Sequence, residues 1–261
     1  MKILALDSSG LVASVAIVTE ETTLAEYTVN YKKTHSQTLL PMLNEVVKMV
    51  ELDLSEVDAV AVAAGPGSFT GLRIGSATAK GLGLALKKPI IPVPTLEGLA
   101  YNLYGTDKII CPLMDARRNQ VYTGLYGFSG KEFQIRKDAA AVDMEELLEE
   151  LNQTGGEVIF LGDGSAVYKE LILGKLRIPY SFAPVHLNRQ RAGAIGARGI
   201  ELYQKNIYED AAAHEPVYLR VSQAERERAA KLERVGEPEH AEKSEHAEKS
   251  EHAGKLEHKE G

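Results

Sequence analysis

Cysteine and tryptophan are scarce in this chain of 261 residues, which has one cysteine and no tryptophan. Cys111 alone can form no internal disulfide, and its apolar neighbours Ile109 and Ile110 indicate a buried small residue rather than a nucleophile. Every apolar run is broken well before the roughly 18 to 20 residues that a membrane-spanning helix needs. The first ten residues, MKILALDSSG, alternate like a strand and lack the apolar core of a signal peptide. These absences predict a cytoplasmic protein without a membrane segment.

Common catalytic motifs are missing as well. Neither G-x-S-x-G nor H-E-x-x-H occurs, which removes the most frequent serine-hydrolase and metallopeptidase signatures. Four of the seven histidines belong to a repeat near the C-terminus, and His35, His186 and His214 have no second histidine four residues away. A metal site would have to be assembled from scattered residues, so the sequence predicts none.

Positive charge is in short supply, because the formal net charge is -7. Nucleic-acid affinity comes largely from Lys and Arg that neutralise phosphates, so this balance opposes unassisted RNA binding. The stretch from Gly236 to the end repeats EHAEKS and contains eight Glu and four Lys, which leaves the rest of the chain only mildly acidic. We expect any RNA role to need a basic partner, and we assign the repeat no function.

The first third of the chain alternates short β-rich runs with one amphipathic segment. Residues 2–9, 14–19 and 24–29 predict three antiparallel strands. Thr34 and Gln37 have the spacing of a capping box and predict the start of a helix. The apolar residues that follow recur at helical period: Leu39, Leu40, Leu43, Val46, Val47 and Val50.

A second helix is predicted from about residue 70 to residue 86, after the apolar strand and glycine turn of 58–67. Small residues lie four apart along it: Gly71, Gly75, Ala79 and Gly83. Such a stripe lets another backbone approach closely, and the helix-destabilising effect of its glycines, up to about 1 kcal/mol each, must be offset by that contact. At the level of spacing, that contact can be either tertiary or quaternary.

Strands and helices alternate a second time after a polar break near residues 105–108. The second set is a degenerate echo of the first, which predicts an α/β protein with two lobes. The predicted boundaries are 1–104 for the first lobe and 105–222 for the second, with a charged tail over 223–261 that has too little apolar surface to fold.

Seven residues are candidates for a nucleotide or anion cleft. The string GPGSFTGLRIG at 65–75 lies where a strand meets a helix, and free backbone N–H groups there can hold an anion. It lacks the ending of a P-loop, so a purely structural turn is the other interpretation. Acidic and hydroxyl residues after the first strand could hold a hydrated metal or phosphate, or simply cap a turn. The candidates are Asp7, Ser8, Ser9, Gly65, Gly67, Ser68 and Arg117.

Six segments occur in an order and spacing that resemble the TsaB family from residue 1 to about residue 222. They are LALDSS with SVAI, HSQTLLPML, GPGSFTGLRIG, PTLEGLA, MDARRNQVY and PVYLR. The resemblance implies two ribonuclease-H-like lobes of the actin, Hsp70 and sugar-kinase superfamily, and a paralogous relation to TsaD, a catalytic subunit. TsaD-like proteins carry an H-x-E-G-H-type metal-binding segment, where this chain has Thr95, Glu97 and Leu99. Because leucine cannot coordinate a metal, the resemblance implies that the catalytic centre is lost.

The family resemblance also implies a set of partners. A non-catalytic chain would pair with a TsaD-like subunit, help to recruit a TsaE-like ATPase, and meet tRNA only through the complex that makes threonylcarbamoyladenosine at adenosine 37. Alone it would form a homodimer; it needs no cofactor of its own, although ATP or ADP could bind at the interface of the complex. An independent phosphotransferase of the same superfamily and, more weakly, a peptidase are the alternatives. The expected interface residues are Leu39, Leu40, Leu43, Val46, Val47, Gly71, Leu72, Gly75, Ala79 and Gly83.

Overall fold

The computed structural model describes residues 1–220, which form one compact unit with two sheets. The tail predicted over 223–261, with its EHAEKS repeats, lies outside the described residues. The first sheet has the strand order β3-β2-β1-β4-β5. Its strands β1, β2 and β3 are antiparallel, as predicted, while β4 and β5 run parallel to β1. The bounds are β1 Lys2–Asp7, β2 Ala13–Thr19, β3 Thr23–Val29, β4 Ala59–Gly65 and β5 Ile90–Pro94.

Three α-helices and a 3-10 turn accompany the first sheet: α1 His35–Met49, the 3-10 turn Leu54–Glu56, α2 Phe69–Leu86 and α3 Thr95–Tyr101. Helix α1 begins where the sequence predicted, but the capping box does not form. The Thr34 side chain makes no capping hydrogen bond, and Gln37 N donates to the Thr34 backbone oxygen at 2.9 Å. The spacing therefore predicted the correct start of the helix, but a backbone hydrogen bond closes the first turn instead of a side-chain cap.

The second sheet repeats the strand order of the first. Strand β6 lies at its centre, with β8 and then β9 antiparallel on one side and β10 and then β11 parallel on the other. A short strand β7 pairs with the start of β8. This repeated 3-2-1-4-5 order confirms the prediction of two ribonuclease-H-like lobes. The bounds are β6 Ile109–Pro112, β7 Met114–Arg117, β8 Gln120–Ser129, β9 Glu132–Asp143, β10 Val158–Leu161 and β11 Tyr180–Phe182.

Helices α4 Met144–Thr154, α5 Asp163–Val167 and α6 Lys169–Lys175 follow the strands of the second lobe, and α7 Ala192–Gln204 completes the described elements. No helix within residues 1–220 is long and apolar enough to cross a membrane.

The chain returns to the first lobe at α7, so the predicted boundary of 105–222 does not describe the second lobe. Ile195 and Ile200 of α7 pack on one face of the first sheet with Ile3 and Ala5, while α1 and α2 cover the other face. Side chains of a strand alternate between faces, so both faces of β1 need a cover. The segment after α7 also contacts the first lobe, because Glu209 forms an antiparallel β-bridge with Ile90.

Candidate functional site

Asp7 ends β1 and is buried beneath the loop that follows it. Its Oδ1 accepts hydrogen bonds from Ser9 N at 2.9 Å and from Ser9 Oγ at 2.7 Å. Burial raises the pKa of Asp7 from 3.8 to about 6, although the bonds from Ser9 and the nearby His35 act in the opposite direction. Burial in a low-dielectric site disfavours the charged form of a carboxyl. Asp7 therefore accepts the hydrogen bonds that hold this turn, and ionising its buried carboxyl near neutral pH costs free energy.

The loop after Asp7 is hydrogen-bonded directly to the glycine turn before α2. Ser68 N donates to the Ser9 carbonyl at 2.6 Å, and Ser8 Oγ donates to the Gly71 carbonyl at 2.8 Å. Ser68 Oγ accepts from Gly71 N at 3.3 Å and caps the helix. The structure thus brings five of the predicted cleft residues together, but it pairs them with one another.

Glycine is needed in this turn because two backbone segments touch. A Cβ atom at Gly67 would overlap the Ser9 carbonyl, and one at Gly71 would overlap the Ser8 carbonyl. Chain oxygens therefore lie against the first turn of α2, where a phosphate oxygen would have to be. Of the two interpretations that the sequence left open, this arrangement favours the structural turn.

The other two predicted cleft residues lie apart from this contact or below it. Gly65 N donates to Thr95 Oγ1 at 3.1 Å, in the buried layer under the turn. Arg117 is exposed at the end of β7, where the chain turns toward β8, and its backbone N–H donates to Asp115 Oδ1 at 2.8 Å. Within residues 1–220 Arg117 makes no hydrogen bond or ion pair with Asp7 or the glycine turn.

The segment of α3 that resembles a metal-binding motif is filled by core contacts. Thr95 and Leu99 are both buried, and Thr95 Oγ1 is held by Gly65. Between them, Glu97 is buried and lies 2.7 Å from the guanidinium of Arg198 on α7. Burial raises the pKa of Glu97, and the positive charge of Arg198 opposes that rise. No group of three His, Cys, Asp or Glu that could hold a metal occurs anywhere in the described part of the chain.

Arg198 is the centre of a contact that sequence reasoning missed. Its guanidinium also lies 2.7 Å from Glu201 and 4.7 Å from the ring centre of Phe133 on β9. Tyr101 of α3 donates its hydroxyl to Glu201 at 2.6 Å. This network joins α3 and α7 to the second lobe, and no local pattern announces it because Glu97 and Arg198 are 101 residues apart.

Ser76, His214 and Glu209 are arranged in space like the serine, histidine and acid of a hydrolase triad. Ser76 Oγ lies 3.0 Å from His214 Nε2, and His214 Nδ1 lies 2.6 Å from Glu209 Oε1. However, Ser76 is 4% exposed and His214 is 1% exposed. An acyl substrate could not reach this serine, so the group fastens the segment after α7 to the side of α2 and gives the peptidase alternative no support.

Eight of the ten predicted interface residues are buried within the chain. Those of α1 pack on the first sheet, as the core position of Leu39, Leu43 and Val46 shows. The small residues of α2 face inward, since a Cβ at Gly75 would lie 2.5 Å from Ser8 Oγ. The expectation that this stripe is open to a partner is wrong. The remaining buried interface residues are Gly71, Leu72, Ala79 and Gly83, and only Leu40 and Val47 reach the surface.

Comparison with known proteins places this fold in a family. A family model described as "TsaD: tRNA N6-adenosine threonylcarbamoyltransferase" matches residues 22–252. The tRNA threonylcarbamoyladenosine biosynthesis protein TsaB of Bacillus subtilis (strain 168) is 33% identical over 225 residues, which are 86% of this chain and 96% of the relative. The TsaB protein of Escherichia coli (strain K12) is 31% identical over 175 residues, or 66% of this chain and 75% of the relative.

A solved structure agrees with these sequence matches. The structure of YeaZ from Pseudomonas aeruginosa has a TM-score of 0.72 and 26% identity, and the match covers 84% of this chain and 99% of that chain. The similarity extends along nearly the whole length of both the Bacillus relative and the YeaZ structure. The chain therefore belongs to the TsaB family.

Proposed function

We propose that this chain is a non-catalytic subunit of the machinery that forms threonylcarbamoyladenosine in tRNA, and that it acts by pairing with a TsaD-like subunit. The names of its relatives support the pathway, because the B. subtilis and E. coli proteins are both named for threonylcarbamoyladenosine biosynthesis. The match to a TsaD family model supports a paralogous partner.

The observation that carries the non-catalytic role is the state of the α3 segment. Where the resemblance would place two histidine ligands, Thr95 caps a buried backbone N–H and Leu99 packs in a core cluster. Glu97, the acidic residue between them, is committed to Arg198. A leucine offers no donor atom to a metal. These side chains stabilise the protein, and a reaction centre at this place would have to displace all three.

A pairing surface remains on the outward sides of α1 and α2. Leu40 is 54% exposed, Met49 is 79% exposed and Leu84 is 56% exposed. Next to Leu84, the residues of α2 that face outward are small: Ala77, Gly81 and Ala85 are exposed, and a Cβ at Gly81 would meet nothing within 4 Å. We propose this outward face as the surface on which a helix of the partner packs. It replaces the inward stripe that the sequence suggested.

The same face would serve a homodimer when the partner is absent, because an exposed apolar surface tends to pair with itself in a symmetric contact. The homodimer and the pair with the TsaD-like subunit would then exclude each other. A TsaE-like ATPase, ATP or ADP at the interface of the complex, and tRNA held by the complex complete the proposal.

Reconstitution with each component left out in turn tests this function. The chain, a TsaD-like subunit, a TsaE-like ATPase and the enzyme that supplies the threonylcarbamoyl-adenylate would be mixed with ATP, threonine, bicarbonate and unmodified tRNA. The modified nucleoside is then measured after digestion of the tRNA. We expect product only when this chain is present, and none from the chain alone. Product from the chain alone would refute the proposal, and tight stoichiometric ATP binding by the isolated chain would favour the phosphotransferase.

A further inference from the structure

The turn between β7 and β8 presents two arginines on a backbone that such residues rarely adopt. Arg117, Arg118 and Asn119 have φ angles of 63°, 55° and 60°, all in the left-handed region, and all three are exposed. This conformation costs an arginine roughly 1–2 kcal/mol, whereas asparagine tolerates it more readily. Strain of this kind persists where the surroundings fix it, and it is concentrated at functional sites.

Contacts from three directions hold the turn in place. Asp115 Oδ1 accepts from Arg117 N at 2.8 Å, and Asn119 Nδ2 donates to Asp143 Oδ2 at 3.1 Å. Arg220 Nη1 donates to the carbonyl of Ala116 at 3.0 Å. The carboxylates of Asp115 and Asp143 are therefore engaged with the turn itself. In the described part of the chain neither guanidinium of the turn has an ion-pair partner.

Arg220 connects this turn to a second cationic group on the first lobe. Two residues before it, Tyr218 lies with its Cα at most about 7 Å from that of Arg220. The Tyr218 ring is 4.6 Å from the ring of Phe69, and Arg73 lies 4.0 Å above the Phe69 ring and donates to the Tyr218 hydroxyl at 3.3 Å. We call Arg73, Arg117, Arg118 and Arg220, with Phe69 and Tyr218, the arginine patch.

We propose that the arginine patch binds the phosphate backbone of tRNA directly when the chain is in its complex. Guanidinium groups bind phosphate oxygens through paired N–H donors, and a pre-positioned turn loses little entropy in doing so. The Tyr218 ring, which is 37% exposed, can stack with an unpaired base, while Phe69 holds Tyr218 and Arg73 in place. The proposal rests on the proposed function, and it refines the expectation that tRNA is met only through the complex. The partner would supply most of the affinity, while this acidic chain adds a local set of cations.

The test uses the full chain, alone and assembled with its TsaD-like partner, with fluorescently labelled unmodified tRNA as the probe. Fluorescence anisotropy gives the affinity at several salt concentrations between 50 and 200 mM. The variant carries Arg117→Gln and Arg118→Gln, which remove two charges and keep a polar side chain at each position. A matched control carries Lys131→Gln and Arg177→Gln, two exposed cations of the second lobe that lie outside the patch. Pairing with the partner is measured separately, without tRNA.

We expect the patch variant to bind tRNA roughly tenfold more weakly and the slope of log affinity against log salt to fall by about 1.5, since each phosphate contact contributes about 0.7 to 0.9. The control variant should match the unchanged protein, and pairing should be intact in both. Equal affinity and equal slope for the two variants would overturn the arginine patch while leaving the proposed function standing. Lost pairing in the patch variant would also overturn it, because the patch would then be a protein interface. If the unchanged chain does not pair at all, the proposed function fails, and the measurement on the chain alone at 50 mM salt decides the patch.

Discussion

Removal of Arg198 tests whether the α3 segment is now a structural element. In Arg198→Ala the Glu97 carboxylate stays buried without its cation, and removing one partner of a buried ion pair typically costs about 3–5 kcal/mol. Contact with the Phe133 ring is lost as well. The reverse change, Glu97→Ala, should cost less, about 1–3 kcal/mol, because Arg198 keeps Glu201 at 2.7 Å. We therefore expect a clear asymmetry between the two single variants.

The pH dependence of Arg198→Ala gives the prediction a second and independent readout. Burial already raises the pKa of Glu97, and Arg198 is the charge that opposes this rise. Without Arg198 the pKa rises further in the folded state, while in the unfolded state it stays near the ordinary value of 4.5. A raised pKa in the folded state means that stability falls as pH rises from the ordinary value through the raised one. The deficit of the variant should accordingly be larger at pH 8 than at pH 5.

Urea unfolding followed by far-UV circular dichroism suits this chain, because it has no tryptophan to report by fluorescence. The unchanged protein, both single variants and Glu97→Gln combined with Arg198→Ala would be unfolded at pH 5 and pH 8. The double variant has no carboxylate at position 97 to titrate, so it should lose the extra pH dependence that comes from Glu97. A deficit below about 1 kcal/mol for Arg198→Ala, or a deficit that is equal at both pH values, would refute the reasoning.

Three further predictions concern α2 and the segments next to it. Burial raises the pKa of Asp7 from 3.8 to about 6, so ionising it in the folded protein costs about 3 kcal/mol. The free energy of unfolding therefore falls by up to this amount as pH rises from about 4 to above 6. Asp7→Asn should therefore raise the free energy of unfolding at pH 8 but barely at pH 4, and a variant less stable at pH 8 would contradict this. Gly81→Leu should abolish pairing and leave the monomer folded, whereas Gly75→Leu should unfold the chain because a Cβ there already meets Ser8 Oγ. Sedimentation measures pairing and circular dichroism measures folding. If the folded Gly81→Leu variant still pairs, the interface lies elsewhere. His214→Ala should lower the free energy of unfolding by about 1–3 kcal/mol by leaving Ser76 without its partner, and a smaller loss in urea titrations would mean that the segment after α7 is held by other contacts.

The strands and helices of the first lobe could be predicted because their information is local. The helical spacing of Leu39, Leu43 and Val46 indicates a face that must be buried, and the structure buries it. The strand predicted at residues 2–9 forms over Lys2–Asp7, but residues 3–9 are buried on both faces, which alternation alone does not predict. The second lobe could be recognised as an echo of the first for the same reason. The place where the chain returns to the first lobe could not, because α7 is amphipathic whichever sheet it covers.

The direction of the small-residue stripe shows where local patterns stop being informative. Spacing of four residues fixes which side chains share a face of α2, but the identity of the opposing surface depends on Ser8 and Ala211, which are far away in sequence. The links from Ser76 to His214 and from Glu97 to Arg198 have the same property. Charge and spacing indicate which residues need a partner, but which residue becomes the partner depends on the three-dimensional fold.

The buried polar groups around the predicted cleft are hydrogen-bonded to other parts of the same chain. Ser8 and Ser9 bond to the glycine turn, Gly65 bonds to Thr95, and Val217 N bonds to the Ala64 carbonyl at 2.7 Å. In an open cleft such hydroxyls and N–H groups would be free to bind a ligand, but here each bond joins two segments of the same chain. Hydrogen-bonded buried groups make a site rigid, and a ligand could compete only by breaking several bonds at once. A rigid first lobe is what a pairing surface on α1 and α2 requires, because a partner then meets a face that does not have to be ordered on binding.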